Sequence, residues 1–243
     1  MIFTRDDVPV IAHQSDLSYL VPLEQRPAII SDMTLSEVKE LDVGSWFSDE
    51  YRGECVPTLE EGLLFLKGRV DRVYLHDKSE NDYSGAKQDR VRIFGQTIRL
   101  LGMKDHVVVM VESGNLSLWR KLAPDIPLLQ CWVGPIYQKD RIKLDDSFRS
   151  GIRHMGFYHS DGQLNSLGKL FIRMGFHDLG TFVGFYPNKE VVSWYTMRNC
   201  DFTVFTINNA FIMKLYIDAG FRAIGTDDPS LLISILHDNH LNK

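Results

Sequence analysis

Four polar side chains stand directly after apolar runs, where a strand would deliver them to one end of a sheet. His13 closes the run VPVIAH, His76 and Lys78 close VYLHDK, and Glu112 closes VVVMVE. An imidazole that titrates near neutral pH can take up and return a proton. A lysine ammonium can hold a phosphate as a point charge. A carboxylate suits hard divalent cations, whereas an imidazole suits transition metals, so His76 and Glu112 are candidate metal ligands. Every one of these residues also has a structural reading. Pro9, Ile11 and His13 share a strand face, so His13 can be a strand-end residue. His76 can be a hydrogen-bonded interior residue, Lys78 a snorkelling lysine and Glu112 a helix start. If the strand is regular, His76 and Lys78 share a face and Asp77 points the other way. His154 and His159 fit neither a helix face nor a strand face and are read as structural.

The elements that must position these groups alternate. Val8–Ala12, Val73–Leu75, Val107–Val111, Pro127–Val133 and Phe202–Ile207 read as strands, being short runs rich in Val and Ile. Helical spacing lies between them. Thr34 with Glu37, and Thr58 with Glu61, fit the capping box, in which hydroxyl and carboxylate satisfy each other's backbone N–H groups. Leu59, Leu63 and Leu66 share one face before a stop at Gly68. Val91, Phe94, Ile98 and Leu101 repeat the pattern up to Gly102, and Leu164, Leu167, Phe171 and Met174 up to Gly175. Asp228 and Pro229 read as an N-cap and a first helical residue. Strands alternating with helices predict an α/β fold with a parallel sheet, and polar strand ends favour a barrel.

A chain of 243 residues suits one such domain. Its net charge of −5 argues against general affinity for nucleic acid or anionic membrane. Cys55, Cys131 and Cys200 lack metal-ligand spacing, and reduced thiols in a cytoplasmic protein are expected. No signal peptide and no transmembrane run is evident. The nucleotide-binding loops GxGxxG and GxxxxGK[ST] are absent from the sequence. Residues 134–153 are rich in charge and read as a solvated insertion or an exposed helix face, with 134–160 a possible insertion in a single domain.

Three blocks carry a resemblance. TRDDVPVIAHQ, VYLHDKS, and FTVFTINN with FRAIGTDDP look like segments of the glycerophosphodiester phosphodiesterase family, metal-dependent TIM barrels that cleave glycerophosphodiesters to glycerol phosphate and an alcohol. The resemblance implies a TIM-type (β/α)8 barrel with His13 as a member of an acid/base pair. It implies phosphate contacts at Lys78, Thr206 and Asn208, and Mg or Ca as the family metal. Gln14 stands where the family pattern has aspartate, His76 where it has a metal-binding glutamate, and Phe205 where it has tryptophan. The family's His-Arg-Gly and Glu-x-Asp strands come before the part matched here. The expectation is therefore a barrel lacking its first one or two strands, with impaired hydrolysis of a glycerophosphodiester. The alternative is a non-catalytic protein that binds a phosphorylated metabolite or a partner. Uncovered strand edges would favour self-association.

Overall fold

The computed structural model describes residues 1–78, 86–112, 114–133, 141–158, 170, 174 and 188–241, and the chain divides into two units, Met1–Pro127 and Leu128–Lys243.

The first unit opens with an antiparallel pair, β1 (Ile2–Phe3) and β2 (Pro9–Val10), in the register Ile2 with Val10. The expected strand over Val8–Ala12 is thus shorter and belongs to no parallel sheet. The cause is local. Asp7 adopts a positive φ of 58°, and the Thr4 amide donates to the Val8 carbonyl at 3.0 Å, closing a tight turn. Pro9 has no N–H to give, and the Ile11 amide is taken by the Pro57 carbonyl at 2.9 Å.

Beyond β2 a small core forms from Val10, Leu17, Val21, Ala28, Ile30, Val38, Leu41 and Val56, all buried. Helix α1 (Leu35–Lys39) contributes Val38 and starts at the Thr34 capping box. Helix α2 (Leu59–Leu66) starts at the second box, where the Glu61 amide donates to Thr58 Oγ1 at 3.1 Å and the Thr58 amide donates to the Glu61 carboxylate at 2.8 Å. Its Leu59 and Leu63 are fully buried. Gly68, with φ 74°, follows the helix in a conformation that a side chain would strain.

Two parallel strands follow, β3 (Val73–His76) and β4 (Val107–Val111), with Tyr74 beside Val108 and His76 beside Met110. All five β4 residues are buried, as the unbroken VVVMV run anticipates. Between them runs α3 (Ala86–Leu100), which buries Val91, Phe94 and Ile98, and after β4 comes α4 (Leu116–Leu122). Phe94 joins the layers, with its ring 4.7 Å from Phe3 and stacked 6.1 Å from Trp119. The N-terminal segment also lies against β3, since the Met1 nitrogen donates to the His76 carbonyl at 2.7 Å.

In the second unit four parallel strands stand in chain order: β5 (Leu128–Val133), β6 (His154–Tyr158), β7 (Asp201–Phe205) and β8 (Ala223–Ile224). Helices α5 (Arg141–Arg149), α6 (Lys189–Thr196), α7 (Ala210–Asp218) and α8 (Pro229–Leu241) are interspersed. An aromatic core fills this unit. Phe157 stacks on Phe202 at 5.5 Å, and Phe221 meets Tyr216 edge-on at 4.7 Å. Tyr195, fully buried, donates from its hydroxyl to Asp145 of α5.

Residues 141–158 of the charge-rich stretch therefore form a helix and a strand, with Leu144 fully buried and the charges of Arg141, Lys143, Asp146 and Arg149 outward. Strand β6 escapes a reading by composition because HMGFY mixes a histidine and a glycine into the run. Cys200 is a buried thiol that burial pushes up to about 12, so it is inert. The expected helix over Leu164–Met174 and His159 lie outside the described residues, apart from Leu170 and Met174, both exposed. Among the described residues no helix is long and apolar enough to cross a membrane. Among the described residues, six parallel strands ordered along the chain and alternating with helices form the pattern of a TIM-type barrel with fewer than eight strands.

Two substitutions test this packing by chemical denaturation. Thr58→Ala removes one half of a capping box and should cost about 1 kcal/mol. Trp119→Phe removes an N–H donor from a buried carboxylate (Asp77, described next) and leaves a gap, and should cost about 2 kcal/mol or more.

Candidate functional site at the end of β3 and β4

The site begins with a choice of face. Along β3 the residues Val73 and Leu75 are buried and Tyr74 and His76 half-buried. Asp77 continues the buried series and is completely enclosed. Its backbone amide extends the ladder by donating to the Met110 carbonyl at 2.9 Å, and its carboxylate accepts the indole N–H of Trp119 on α4 at 2.7 Å. Asp77 therefore faces the helices, as the alternation predicted. His76 and Lys78 are left on the opposite face.

Glu112 follows β4 and lies on that same face. In the parallel register His76 stands beside Met110, so Glu112 falls one pleat further along, at the level of Lys78. Its Oε1 is 3.6 Å from His76 Nε2, and the two side chains are about one third exposed, at 33% and 30%. That separation is too long for a hydrogen bond. Burial holds the His76 imidazole down to about 4, with the neighbouring Lys78 cation, the Met1 amine and His13 pushing the same way and Asp77 opposing. His76 is thus neutral at physiological pH. Burial also lowers Lys78.

His13 is exposed in a bend after β2, and its charge is felt at His76. Gln14 beside it is exposed and donates from its side-chain amide to the Asp16 carbonyl at 3.1 Å. The first unit thus brings His76 and Glu112 together with Lys78 on one face, and His13 stands exposed in the bend after β2.

Thr206 and Asn208 sit in the second unit, just past β7. Thr206 is exposed. Asn208 clasps the turn after β8: its Oδ1 accepts from the Asp227 amide at 2.9 Å and from the Thr226 hydroxyl at 3.1 Å, and its Nδ2 donates to the Asp227 carboxylate at 2.9 Å. Its neighbour Asn209 caps α7 by accepting from the Phe211 and Ile212 amides at 2.9 and 3.1 Å. His154 lies 3.5 Å from Asp201, which also pairs with Arg222 at 3.3 Å, at the opposite ends of β6 and β7 from Thr206. The structural reading of His154 agrees with that placement.

Whether the first-unit residues could hold the family's Mg or Ca depends on their donors. These cations take oxygen ligands, six or more for Ca. Among the described residues Glu112 is the one carboxylate grouped with His76 at ligating distance. The other described groups on that face are an imidazole and an ammonium. This donor set does not fit a hard cation. The residue whose part composition does not reveal is Asp77, which is buried against Trp119 and so decides the face on which His76 and Lys78 stand. A buried acidic residue between two polar neighbours at a strand end is the signal that could have found it.

Comparisons with known proteins agree with one another. A glycerophosphodiester phosphodiesterase from Bacillus subtilis (strain 168) is 33% identical over 113 residues, which is 42% of this chain and 38% of that protein. The glycerophosphodiester phosphodiesterase GDPD4 from Arabidopsis thaliana is 22% identical over 241 residues, 97% of this chain and 62% of that protein. The chain therefore aligns to less than two thirds of the length of these relatives. Among solved structures, an Oleispira antarctica phosphodiesterase in complex with the product sn-glycerol-3-phosphate is 20% identical. It matches 97% of this chain and 82% of its own with a TM-score of 0.67. A structure from Silicibacter pomeroyi DSS-3 named as a glycerophosphoryl diester phosphodiesterase matches 98% and 82% with a TM-score of 0.71 at 19% identity. These likenesses identify the fold as that barrel. The model of the glycerophosphoryl diester phosphodiesterase family matches residues 2–231, and the chain belongs to that family.

Proposed function

We propose that this chain recognises a glycerophosphodiester, or the glycerol phosphate formed from one, and hydrolyses it only weakly. The observation that carries this reading is the group at the end of β3 and β4, where, among the described residues, Lys78, the His76 imidazole and the Glu112 carboxylate share one face. A phosphodiester is an anion. Lys78 supplies the positive charge that binds it, and its partial burial strengthens that attraction by thinning the water between the two. His13, open to solvent, is placed to exchange a proton with an attacking hydroxyl or a leaving alcohol.

Among the described residues this face does not supply concentrated negative charge for a hard metal. The family's catalysis depends on a divalent cation that polarises the phosphoryl oxygens, and His76 stands in the place of one of its carboxylates. Gln14, where the pattern has aspartate, offers an amide that neither ionises nor orients an imidazole as a carboxylate does. Both changes lie inside the matched region. They support recognition over turnover, and a purely binding role is the limiting case of the same reading.

The purified chain should bind sn-glycerol-3-phosphate, followed by isothermal titration, and Lys78→Ala should weaken that binding about tenfold or more. Release of glycerol phosphate from glycerophosphocholine, followed by phosphorus NMR in Mg²⁺ or Ca²⁺, should stay below about 0.01 s⁻¹. A turnover above about 1 s⁻¹, within the ordinary enzyme range, would show the impairment to be wrong.

Stability should carry the signature of a neutral His76. Its folded value of about 4 lies below the ordinary 6.5, so the unfolded chain binds the proton more readily. The stabilisation is complete above pH ~6.5 and is lost as pH falls towards 4, by roughly 1 to 3 kcal/mol. Urea titrations from pH 7.5 to 4.5 should show this loss, and His76→Gln should flatten it.

A further inference from the structure

We propose that His76 and Glu112 form a seat for a divalent cation of borderline softness, Zn(II) or Co(II) in place of Mg or Ca, and that this cation binds together with a phosphate ester. The second half rests on the recognition of phosphate proposed above. The first rests on the pair alone.

Three features of the pair point to a shared ion. Nε2 and Oε1 are 3.6 Å apart, outside hydrogen-bond range although both are good partners for one. Two ligand atoms at ~2.0–2.1 Å from one tetrahedral Zn stand roughly 3.3 Å apart, so the gap in this pair is close to the edge of such a site. The donors come from adjacent parallel strands, β3 and β4, whose register fixes the separation without loop movement. Finally, within the first unit the donor set among the described residues is one nitrogen and one carboxylate. Imidazole favours Zn and Co, while Mg and Ca gain little from it.

With two ligands from the first unit, a four-coordinate ion keeps room for an oxygen of a bound ester. Lys78 decides how strongly the seat fills. It lies on the same face, at the level of Glu112, and repels a lone cation. A phosphate ester brings the negative charge that reconciles them, bound by Lys78 on one side and by the metal on the other. Cation and ester should then each raise the affinity of the other by the same factor.

The test titrates Zn(II), Co(II), Mg(II) and Ca(II) into the full chain by calorimetry, with Co(II) absorption reporting its coordination directly. Titrations are repeated in saturating sn-glycerol-3-phosphate. Zn(II) should bind at least tenfold more tightly than Mg(II), and the ester should tighten Zn(II) about tenfold. His76→Gln and Glu112→Gln, each first confirmed folded by thermal unfolding, should weaken this Zn(II) site at least tenfold. Because a loss can come from misfolding, His76→Glu is the sharper variant: by restoring an oxygen donor it should shift the ratio of Zn(II) to Mg(II) affinity towards Mg(II) by tenfold or more. Unchanged Zn(II) affinity in His76→Gln, or an unchanged ratio in His76→Glu, would overturn the seat. Zn(II) affinity that ignores the ester would overturn the coupling. Binding of the ester to the metal-free chain in chelator is read separately, so its failure counts against the proposed function and not against the seat.

Discussion

The buried hydrogen bond between the Asp77 carboxylate and the Trp119 indole fixes the chemistry of the first unit. A carboxylate enclosed to 0% exposure is costly unless hydrogen bonds meet it, so Asp77 has a strong preference for the face where α4 offers a donor. Side chains alternate along a strand, so this preference settles the two neighbours as well. A slip of one residue would carry His76 and Lys78 into the helical layer and expose Val73 and Leu75. Trp119 is itself fully buried and stacked on Phe94, so the donor is held by packing. The polar pin and the apolar core thus enforce one register.

The electrostatics of the face follow from that register. His76 emerges beside Lys78 and near His13, and partial burial adds to the unfavourable cost of a second positive charge. Its neutrality is a consequence of position. Glu112 at 3.6 Å supplies an opposite charge, yet too far for a hydrogen bond to fix the imidazolium. Among the described residues the face therefore presents one cation, one carboxylate and an uncharged imidazole. Family membership fixes the barrel, while function depends on the side chains that this chain places on it.

In the second unit the polar residues past β7 are committed largely to the backbone. Asn208 spends both ends of its amide on the turn carrying Thr226 and Asp227, and Asn209 spends its carbonyl oxygen on the first turn of α7.

Much of this was legible in the sequence because it depends on neighbours along the chain. Both capping boxes, the stops at Gly68 and Gly102, and the strands at Val73, Val107 and Leu128 follow from short-range periodicity and turn chemistry. So does the opposite orientation of Asp77 and His76. Other features required the folded chain. Val8–Ala12 has the composition of a parallel strand, but a turn at Asp7 and the Pro57 carbonyl claimed its backbone groups first. The approach of Glu112 to His76 joins residues 36 positions apart, and only the register of β3 on β4 brings them to 3.6 Å. Sequence fixes which groups are available and which side of a strand they take, because those are local. Distance between strands, and with it the charge state of His76, is set by packing that no short stretch of residues contains.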